Sequence, residues 1–305
     1  MIFKISRDIK FSNLYRKMNI FSLVLICFSI FILFVKGLNL GVDFKGGTLI
    51  ELRMENQIVN IAEIRQSLLK MKIGDVNVKK FGKENDFLLK IEMTEKNNEN
   101  FIESINDKLS SDLGSEINFR RVEKVGPKVS KELFEAGILA IVLSLAAMLI
   151  YIWIRFEWQF SLGAILALVH DVIITLGIFS LLSYEINLSI VAAVLTIVGY
   201  SMNDTVVIFD RIRENLKKYS KFSISDISNI STNETLSRTL ITSATTLLAL
   251  FSIYIFGGAI LKGFSFAMIV GVVVGTYSSI FVATPILKYT NVSQKTVLKD
   301  NQENN

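Results

Sequence analysis

The stretch LTIVGYSMNDTVVIFDRIREN (Leu195–Asn215) ends an apolar run that begins near Leu188, and it closes in a basic, hydrophilic segment. Asn203 and Asp204 stand inside the apolar part, one helical turn beyond Gly199. An ionised side chain at membrane depth costs roughly 2.5–3.5 kcal/mol on insertion scales. A membrane segment that keeps such a residue therefore needs a partner for it, a water-filled cavity or a function that requires it.

The composition indicates a membrane protein. The chain has 305 residues, of which 51% are hydrophobic, and they are concentrated in several runs long enough to span a bilayer. The net charge of +5 does not indicate a nucleic-acid partner, because the basic residues cluster at the ends of the apolar runs. A single cysteine excludes an intrachain disulfide, and a single histidine excludes a multi-histidine metal site. We expect neither a metal nor a cofactor.

Six spans are predicted. The first, 18–36, follows a basic N-terminal tail, 1–17; we interpret it as an uncleaved anchor rather than a signal peptide, because no A-x-A-like cleavage site follows. Region 133–287 holds the other five spans and a hydrophilic loop, 210–230, and the polar tail 288–305 is expected to be disordered. The predicted spans after the first are Gly137–Ile154, Phe160–Leu182, Leu188–Phe209, a helix opened by a capping box at Ser231–Glu234 and ending at Phe256, and Phe264–Leu287 after a turn at Gly257–Gly263.

Residues 37–132 predict a small water-soluble domain, since they are mixed in charge and contain no spanning run. Their hydrophobic periodicity gives the order β-α-β-β-α-β, which is the split βαβ arrangement of a ferredoxin-like α+β fold. The predicted elements are a strand at Thr48–Met54, a helix at Val59–Met71, strands at Asp75–Phe81 and Asp86–Met93 joined by a turn, a helix at Asn98–Leu113, and a strand at Glu116–Val125.

The distribution of Lys and Arg predicts the orientation. Basic residues occur in both tails, at Arg155 and throughout 211–221, whereas the short link 183–187 has none. Because short cytoplasmic segments carry the positive excess, both termini are expected in the cytoplasm. The domain at 37–132 is then extracytoplasmic.

On this topology Asp204 lies about six residues, or roughly 9 Å, from the cytoplasmic end of its helix. Arg238 enters the next helix from the same side, so the two opposite charges can meet at similar depth. Burial among apolar helices favours a neutral carboxyl, whereas a nearby arginine favours the carboxylate. Movement of the arginine would thus load or release a proton. The alternatives are a static ion pair, or an Arg238 whose side chain extends to the interface.

Four further polar residues are possible supporting members of this site. Asn203 is suited to hold a water or orient the carboxyl, and Thr242, one turn after Arg238, is placed to line the same polar path, although Thr is also common at helix–helix contacts. His170 and Asp171 lie near the middle of their span. They are either a second relay element or a polar pair that fixes helix packing, and the sequence leaves both alternatives open.

Enzymatic chemistry is not indicated. The sequence contains no GxSxG, HExxH or CxxC motif. Gly258 and Gly263 have the glycine spacing of a phosphate-binding loop, but Phe264 stands where the lysine is needed. We therefore expect neither a hydrolase nor a metalloenzyme, and the spacing of Gly271 and Gly275 is that of a close helix contact.

The chain resembles the smaller member of the SecD/SecF protein-export family, within the resistance–nodulation–division superfamily. The resemblance extends over nearly the whole chain, which lacks the much larger outside domain of the larger member. It rests on LGVDFKGGTLIEL (Leu40–Leu52), VGPKVSKEL (Val125–Leu133), ALVHD (Ala167–Asp171), VGYSMNDTVVIFDRIREN (Val198–Asn215) and RTLITSATTLLAL (Arg238–Leu250) followed by FGG (Phe256–Gly258).

The resemblance implies a protein of the bacterial inner membrane that pairs with SecD, associates with the SecYEG channel and acts after the ATPase SecA. It implies use of the proton-motive force on an unfolded preprotein, with Asp204 and Arg238 taking part in proton passage. Two other hypotheses remain: a non-energised scaffold of the export channel, and a half-size proton-coupled exporter of the same superfamily.

Overall fold

The computed structural model describes residues 8–55, 59–71, 73, 76–80, 84–92 and 101–297. A 3-10 turn at Phe11–Asn13 precedes the first helix, and a π-helix at Ser279–Ala283 separates the last two. In chain order the elements are α1 (Tyr15–Lys36), β1 (Asn39–Leu40), α2 (Val42–Lys45), β2 (Gly47–Met54), α3 (Ile61–Lys70), β3 (Val76–Lys80), β4 (Asp86–Ile91), α4 (Phe101–Leu113), β5 (Ile117–Val125), α5 (Pro127–Arg155), α6 (Trp158–Leu182), β6 (Glu185–Ile186), α7 (Leu188–Lys218), α8 (Ile224–Phe256), α9 (Gly258–Ser278) and α10 (Thr284–Tyr289).

Within the described residues, six helical segments are long and apolar enough to cross a membrane. They are α1, α5, α6, α7, α8 and the continuous run Leu261–Tyr289, which joins most of α9 to α10. The predicted polytopic helical fold is therefore confirmed. The chain divides into two compact units, one made of most of these helices and the other of the sheet domain.

The sheet unit has the predicted split βαβ topology. Its four strands follow the order β3-β4-β2-β5, and every neighbouring pair is antiparallel. The helices α3 and α4 bury their apolar stripes against this sheet, which is the ferredoxin-like arrangement. The outer ends of several predicted elements, residues 75, 81–83, 93 and 98–100, lie outside the described residues.

Two consecutive glycines fix the start of β2. Gly46 has φ +77° and Gly47 has φ +135°, so both adopt backbone conformations that L side chains rarely reach. A Cβ on Gly47 would lie 2.6 Å from the carbonyl oxygen of Ile91, on the neighbouring strand. The sharp entry into the sheet therefore depends on glycine at this position.

The link between α6 and α7 belongs to the sheet unit. Residues Glu185–Leu188 cluster with it. Gly41 donates its backbone N–H to the Ile186 carbonyl over 2.8 Å, and Asp43 accepts from the Leu188 backbone N–H over 2.9 Å. An ion pair between Lys90 and Glu185 adds a third contact. Residues 185–187 of the short link without Lys or Arg are thus an integral part of this unit.

The helical unit has its interior along α6, α7 and the end of α9, where small residues let the backbones approach closely. A Cβ on Gly275 would lie 2.9 Å from the Ser201 Cβ, and one on Gly177 would lie 2.4 Å from the Ser29 Cβ. Gly271 packs in the same way against the side chain of Ile197. The close-packing interpretation of Gly271 and Gly275 is therefore confirmed.

The prediction of a hydrophilic loop at 210–230 is wrong. The helix α7 continues to Lys218 and α8 begins at Ile224, so the connection is only 219–223. Apart from Lys221, the charged residues of this region lie on helices whose other face is apolar and buried, with Ile212 and Ile227 in the core.

The capping box at Ser231–Glu234 is also wrong. Ser231 lies inside α8, and the N-cap is Ser223, whose hydroxyl accepts from the Asp226 backbone N–H over 3.2 Å. The Glu234 carboxylate does not return to a cap because it binds Arg211 and Asn215 on α7. The predicted turn at 257–263 likewise shortens to Gly257, since α9 starts at Gly258.

The predicted disorder of the tail 288–305 is wrong for its first part. Val292 and Val297 are buried in the core of the helical unit, and Thr290 caps the preceding helix through its bond to the Ile286 carbonyl. These apolar side chains hold residues 288–297 against the helices. Residues 298–305 and 1–7 lie outside the described part of the chain.

Candidate functional site

Asp204 is buried on α7, with 3% of its surface exposed. Its carboxyl lies close enough to the Ser243 hydroxyl and to Arg238, both on α8, for each to act on it electrostatically. Asp204 stands as many residues before Lys218, the end of α7, as Arg238 stands after Ile224, the start of α8. The two charges thus act on each other through space without forming an ion pair, and the Ser243 hydroxyl lies on the same helix as Arg238.

Arg238 is exposed and faces a cavity rather than a carboxylate. Among the described residues, no carboxylate oxygen lies within 4.0 Å of its guanidinium nitrogens. The cavity has a volume of about 330 Å³. It is lined by Val207, Asp210, Arg211, Glu214, Glu234, Thr235 and Arg238. Arg238 therefore borders an open, polar space that Asp204 does not line.

Glu234 lies one helical turn before Arg238, yet α7 holds its carboxylate. Arg211 donates from Nε to Glu234 Oε2 over 2.6 Å, and Asn215 donates from Nδ2 to the same oxygen over 2.7 Å. Asn215 also donates to the Ser231 hydroxyl over 3.0 Å. These contacts keep the nearest competing carboxylate away from Arg238. This cluster was not predicted, because Arg211 and Asn215 were assigned to a loop and Glu234 to a capping box.

His170 and Asp171 are both buried on α6, with 1% and 0% of their surfaces exposed. The Asp171 carboxylate contacts His170 Nδ1 over 2.8 Å, and it accepts from the Ser201 and Ser278 hydroxyls over 2.6 and 2.8 Å. A carboxylate has only acceptor sites, so the two hydroxyl donors suit its ionised form, and His170 adds a third donor when its ring proton is on Nδ1. Asp171 consequently links α6 to α7 and α9.

The His170 ring stacks on Tyr277, with ring centroids 6.1 Å apart and planes 25° apart. Tyr277 in turn shares a hydrogen bond with the Ser22 hydroxyl and donates to the Met18 carbonyl, both over 2.9 Å, and so connects α9 to α1. His170 Nε2 is buried without a hydrogen-bond partner among the described residues. The pair thus has contacts to several helices, and none of these contacts involves Asp204.

Four consecutive residues, TYSS (Thr276–Ser279), form the centre of this polar interior. Thr276 contacts Ser243 on α8 over 2.7 Å, and Ser279 contacts Thr205 on α7 over 2.8 Å. Tyr277 bonds to α1 and Ser278 bonds to α6, so each residue of this segment bonds to a different helix. The segment leads into the π-helix, and Pro285, which lacks an N–H, follows one turn later. A run of four polar residues inside an apolar span was the available signal.

The remaining predicted residues lie at the edge of this site. Asn203 is exposed, and its side chain makes no hydrogen bond within the part of the chain that the structure describes. Thr242 donates to the Arg238 and Thr239 carbonyls of its own helix, each over 3.0 Å. Within the described part of the chain, neither side chain hydrogen-bonds to the Asp204 carboxyl.

These features define a multi-pass membrane protein with a split βαβ domain and a buried ionisable site between two of its helices. Two family models match the chain. One is described as protein export membrane protein SecD/SecF, C-terminal, and matches residues 105–293; the other, the SecD/SecF GG motif, matches residues 31–58 and includes Gly46 and Gly47.

The chain is similar along its length to proteins named protein translocase subunit SecF. One from Rickettsia bellii is 46% identical over 281 residues, with 92% of each chain covered. Another from Vibrio alginolyticus is 45% identical over 286 residues, with 93% of this chain and 90% of the relative covered. The chain belongs to the SecD/SecF family of protein-export membrane proteins, and its role is in protein translocation.

Solved structures agree with this membership. A crystal structure of SecDF from Thermus, described as a translocon-associated membrane protein, superposes with a TM-score of 0.86 at 33% identity. It covers 96% of this chain, whereas this chain spans only 40% of the SecDF chain. A structure of SecDF in a super-membrane-facing form gives a TM-score of 0.72 at 32% identity.

Proposed function

We propose that the chain couples the proton-motive force to late steps of preprotein translocation, as the SecF-type subunit of the Sec machinery. The observation that carries this proposal is the buried Asp204 carboxyl, which lies within electrostatic reach of the Ser243 hydroxyl and of the Arg238 charge. An ionisable residue inside a membrane span is expensive, and such residues mark ion and proton pathways. The role requires no bond-making chemistry in this chain.

The coupling follows from the mobility that the cavity gives to Arg238. When the guanidinium lies against Asp204, its charge favours the carboxylate and promotes proton release. When it turns into the cavity, desolvation favours the neutral acid and promotes proton uptake. Each proton cycle is thereby linked to a displacement of α8 or of the Arg238 side chain relative to α7.

The proposed partner is SecD. The SecDF chains from solved structures are more than twice as long as this one, so a second subunit would complete the corresponding unit. We propose further that the pair acts at the SecYEG channel on an unfolded preprotein, after SecA. The large apolar surfaces of α1 and α5, which are mostly exposed, are consistent with helices that face lipid or a partner.

We propose a location in the bacterial inner membrane with both termini in the cytoplasm. The positive charges near the connection between α7 and α8, such as Lys217 and Lys218, support a cytoplasmic position for it. Glu185–Leu188 belong to the sheet unit, which supports placing the link between α6 and α7 on the same side of the membrane as the sheet domain. We propose that this is the extracytoplasmic side.

The test is export of a secreted reporter into inverted membrane vesicles carrying Asp204→Asn, with and without a proton gradient. We expect normal assembly and loss of only the gradient-dependent part of export. The control is Glu135→Gln, a similar carboxyl-to-amide change at a side chain that is 66% exposed. Full gradient dependence in Asp204→Asn would show that the site is structural and would favour the scaffold hypothesis.

A further inference from the structure

We propose that Thr276 on α9 is a positioning residue for Asp204 and acts through the Ser243 hydroxyl. The inference deepens the proposed function and rests on it, since it concerns the same proton site. It places part of that site on a third helix, α9, whose described residues do not hydrogen-bond to the carboxyl.

The contacts form a short chain of hydroxyl groups. Ser243 is 6% exposed and shares a hydrogen bond of 2.7 Å with the Thr276 hydroxyl, and its own hydroxyl lies close enough to the Asp204 carboxyl to act on it electrostatically. The Thr276 hydroxyl also lies 2.8 Å from the Val272 carbonyl of its own helix. A carboxyl, two hydroxyls and one backbone carbonyl thus follow one another across α7, α8 and α9.

The number of protons in this chain allows two arrangements. Each hydroxyl has one hydrogen to donate. If Asp204 is ionised, Ser243 donates to the carboxylate and accepts from Thr276, which gives up its bond to the Val272 carbonyl. If Asp204 is neutral, the carboxyl donates to Ser243, Ser243 donates to Thr276, and Thr276 donates to Val272. The direction of the hydrogen bonds therefore follows the charge of Asp204.

Thr276 is suited to this role because its neighbours fix its position. Tyr277, Ser278 and Ser279 are bonded to α1, α6 and α7, so the Thr276 hydroxyl is presented to Ser243 from an anchored segment. Loss of that hydroxyl leaves Ser243 with a single proton and no donor behind it. Ser243 can then no longer accept one hydrogen bond while it donates another to the carboxylate.

The test compares Thr276→Val, which keeps the side-chain shape, with Thr276→Ser, which keeps the hydroxyl. The chain is purified with its SecD partner and reconstituted in liposomes, and proton flux is measured under an imposed gradient. We expect the proton flux of Thr276→Val to fall roughly tenfold, and that of Thr276→Ser to stay within about twofold of the parent protein. The matched control is Thr246→Val, because Thr246 on α8 also takes part in an interhelical hydroxyl pair, accepting from Tyr200 on α7 over 3.2 Å.

A second readout reports the carboxyl itself. The infrared carbonyl band of protonated Asp204, assigned by its loss in Asp204→Asn, should shift in Thr276→Val and not in Thr246→Val. If Thr276→Val does not assemble, Ser243→Ala interrupts the same chain from α8 and should produce the same loss of flux. An unshifted band together with flux equal to that of Thr246→Val overturns the inference. A parent-like flux in Asp204→Asn instead overturns the proposed function.

Discussion

Arg211 on α7 and Glu234 on α8 form an ion pair of 2.6 Å directly beside the candidate proton site. Glu234 is four residues before Arg238 on the same helix, a spacing at which opposite charges attract. By binding Glu234 from the other helix, Arg211 leaves the Arg238 charge available to Asp204. The pair therefore affects the site without touching its carboxyl.

We predict that Arg211→Ala reduces proton flux although Asp204 and Arg238 remain intact. The released Glu234 carboxylate would compete with Asp204 for Arg238. The double variant Arg211→Ala/Glu234→Gln should recover part of the flux, because it has no carboxylate to compete. The control is Lys131→Ala, which breaks the exposed ion pair with Glu135 on α5, since neither of these two residues lines the cavity. A double variant no better than the single one would contradict this explanation.

Asp171→Asn should destabilise the helical unit by about 3 kcal/mol, because the amide group would face donors that now bind a carboxylate. Ser278→Ala removes one of those donors and should cost only about 1 kcal/mol. The measurement is the thermal unfolding midpoint of the purified complex in detergent, with proton flux recorded on the same samples. Normal stability together with lost flux would instead assign Asp171 to the relay.

The sheet unit should carry a pH-dependent contact at Asp112. Hydrogen bonds from Lys108 Nζ and the Ser67 hydroxyl, each 2.8 Å long, hold the pKa of this carboxyl below its usual range. A lowered folded-state pKa adds stability above the unfolded value, near 4, and this contribution is lost as the pH falls through the folded value.

We therefore expect Asp112→Asn to speed hydrogen exchange of the α3 and α4 amides at neutral pH, and to have a smaller effect near pH 3. Asp107→Asn, on the exposed face of the same helix, is the matched control. An Asp112→Asn effect of equal size at both pH values would mean that the carboxylate charge is not what stabilises this contact.

Gly47→Ala should destabilise the sheet unit by about 2 kcal/mol or more, since both its φ of +135° and the Ile91 carbonyl oppose a side chain. Gly126→Ala is the control, because a Cβ there has no neighbour within 4 Å. The measurement is the rate of proteolysis of the sheet unit in the membrane-bound protein. Equal rates in the two variants would contradict the strain at Gly47.

The sequence predicts the features that depend on periodicity and charge. Long apolar runs predict the spans, and the alternation of strands and amphipathic helices predicts the split βαβ domain. The proximity of Asp204 and Arg238 follows from their equal distances to the connection between their helices. The sequence could have shown that these helices extend into 210–230. Ile212 and Leu216 are four residues apart on α7, and Ile227 is an apolar residue of α8; all three are buried.

The contacts among Ser243, Thr276, Ser278 and Asp171 could not be predicted in this way. Whether two hydroxyls on different helices meet depends on the rotation of each helix about its axis and on their relative heights. Those quantities are set by close packing, as where Gly275 lies against Ser201, and no pattern within one segment contains them. Polar residues in a span are visible in the sequence, but their partners are not.

The TYSS segment has a consequence for how the bundle can change shape. Consecutive residues on a helix point about 100° apart, so Thr276–Ser279 address the full circumference of α9. A slip of one residue would exchange the partners of all four positions at the same moment. The surrounding helices therefore accept this segment in one register or in another, with no stable position between them.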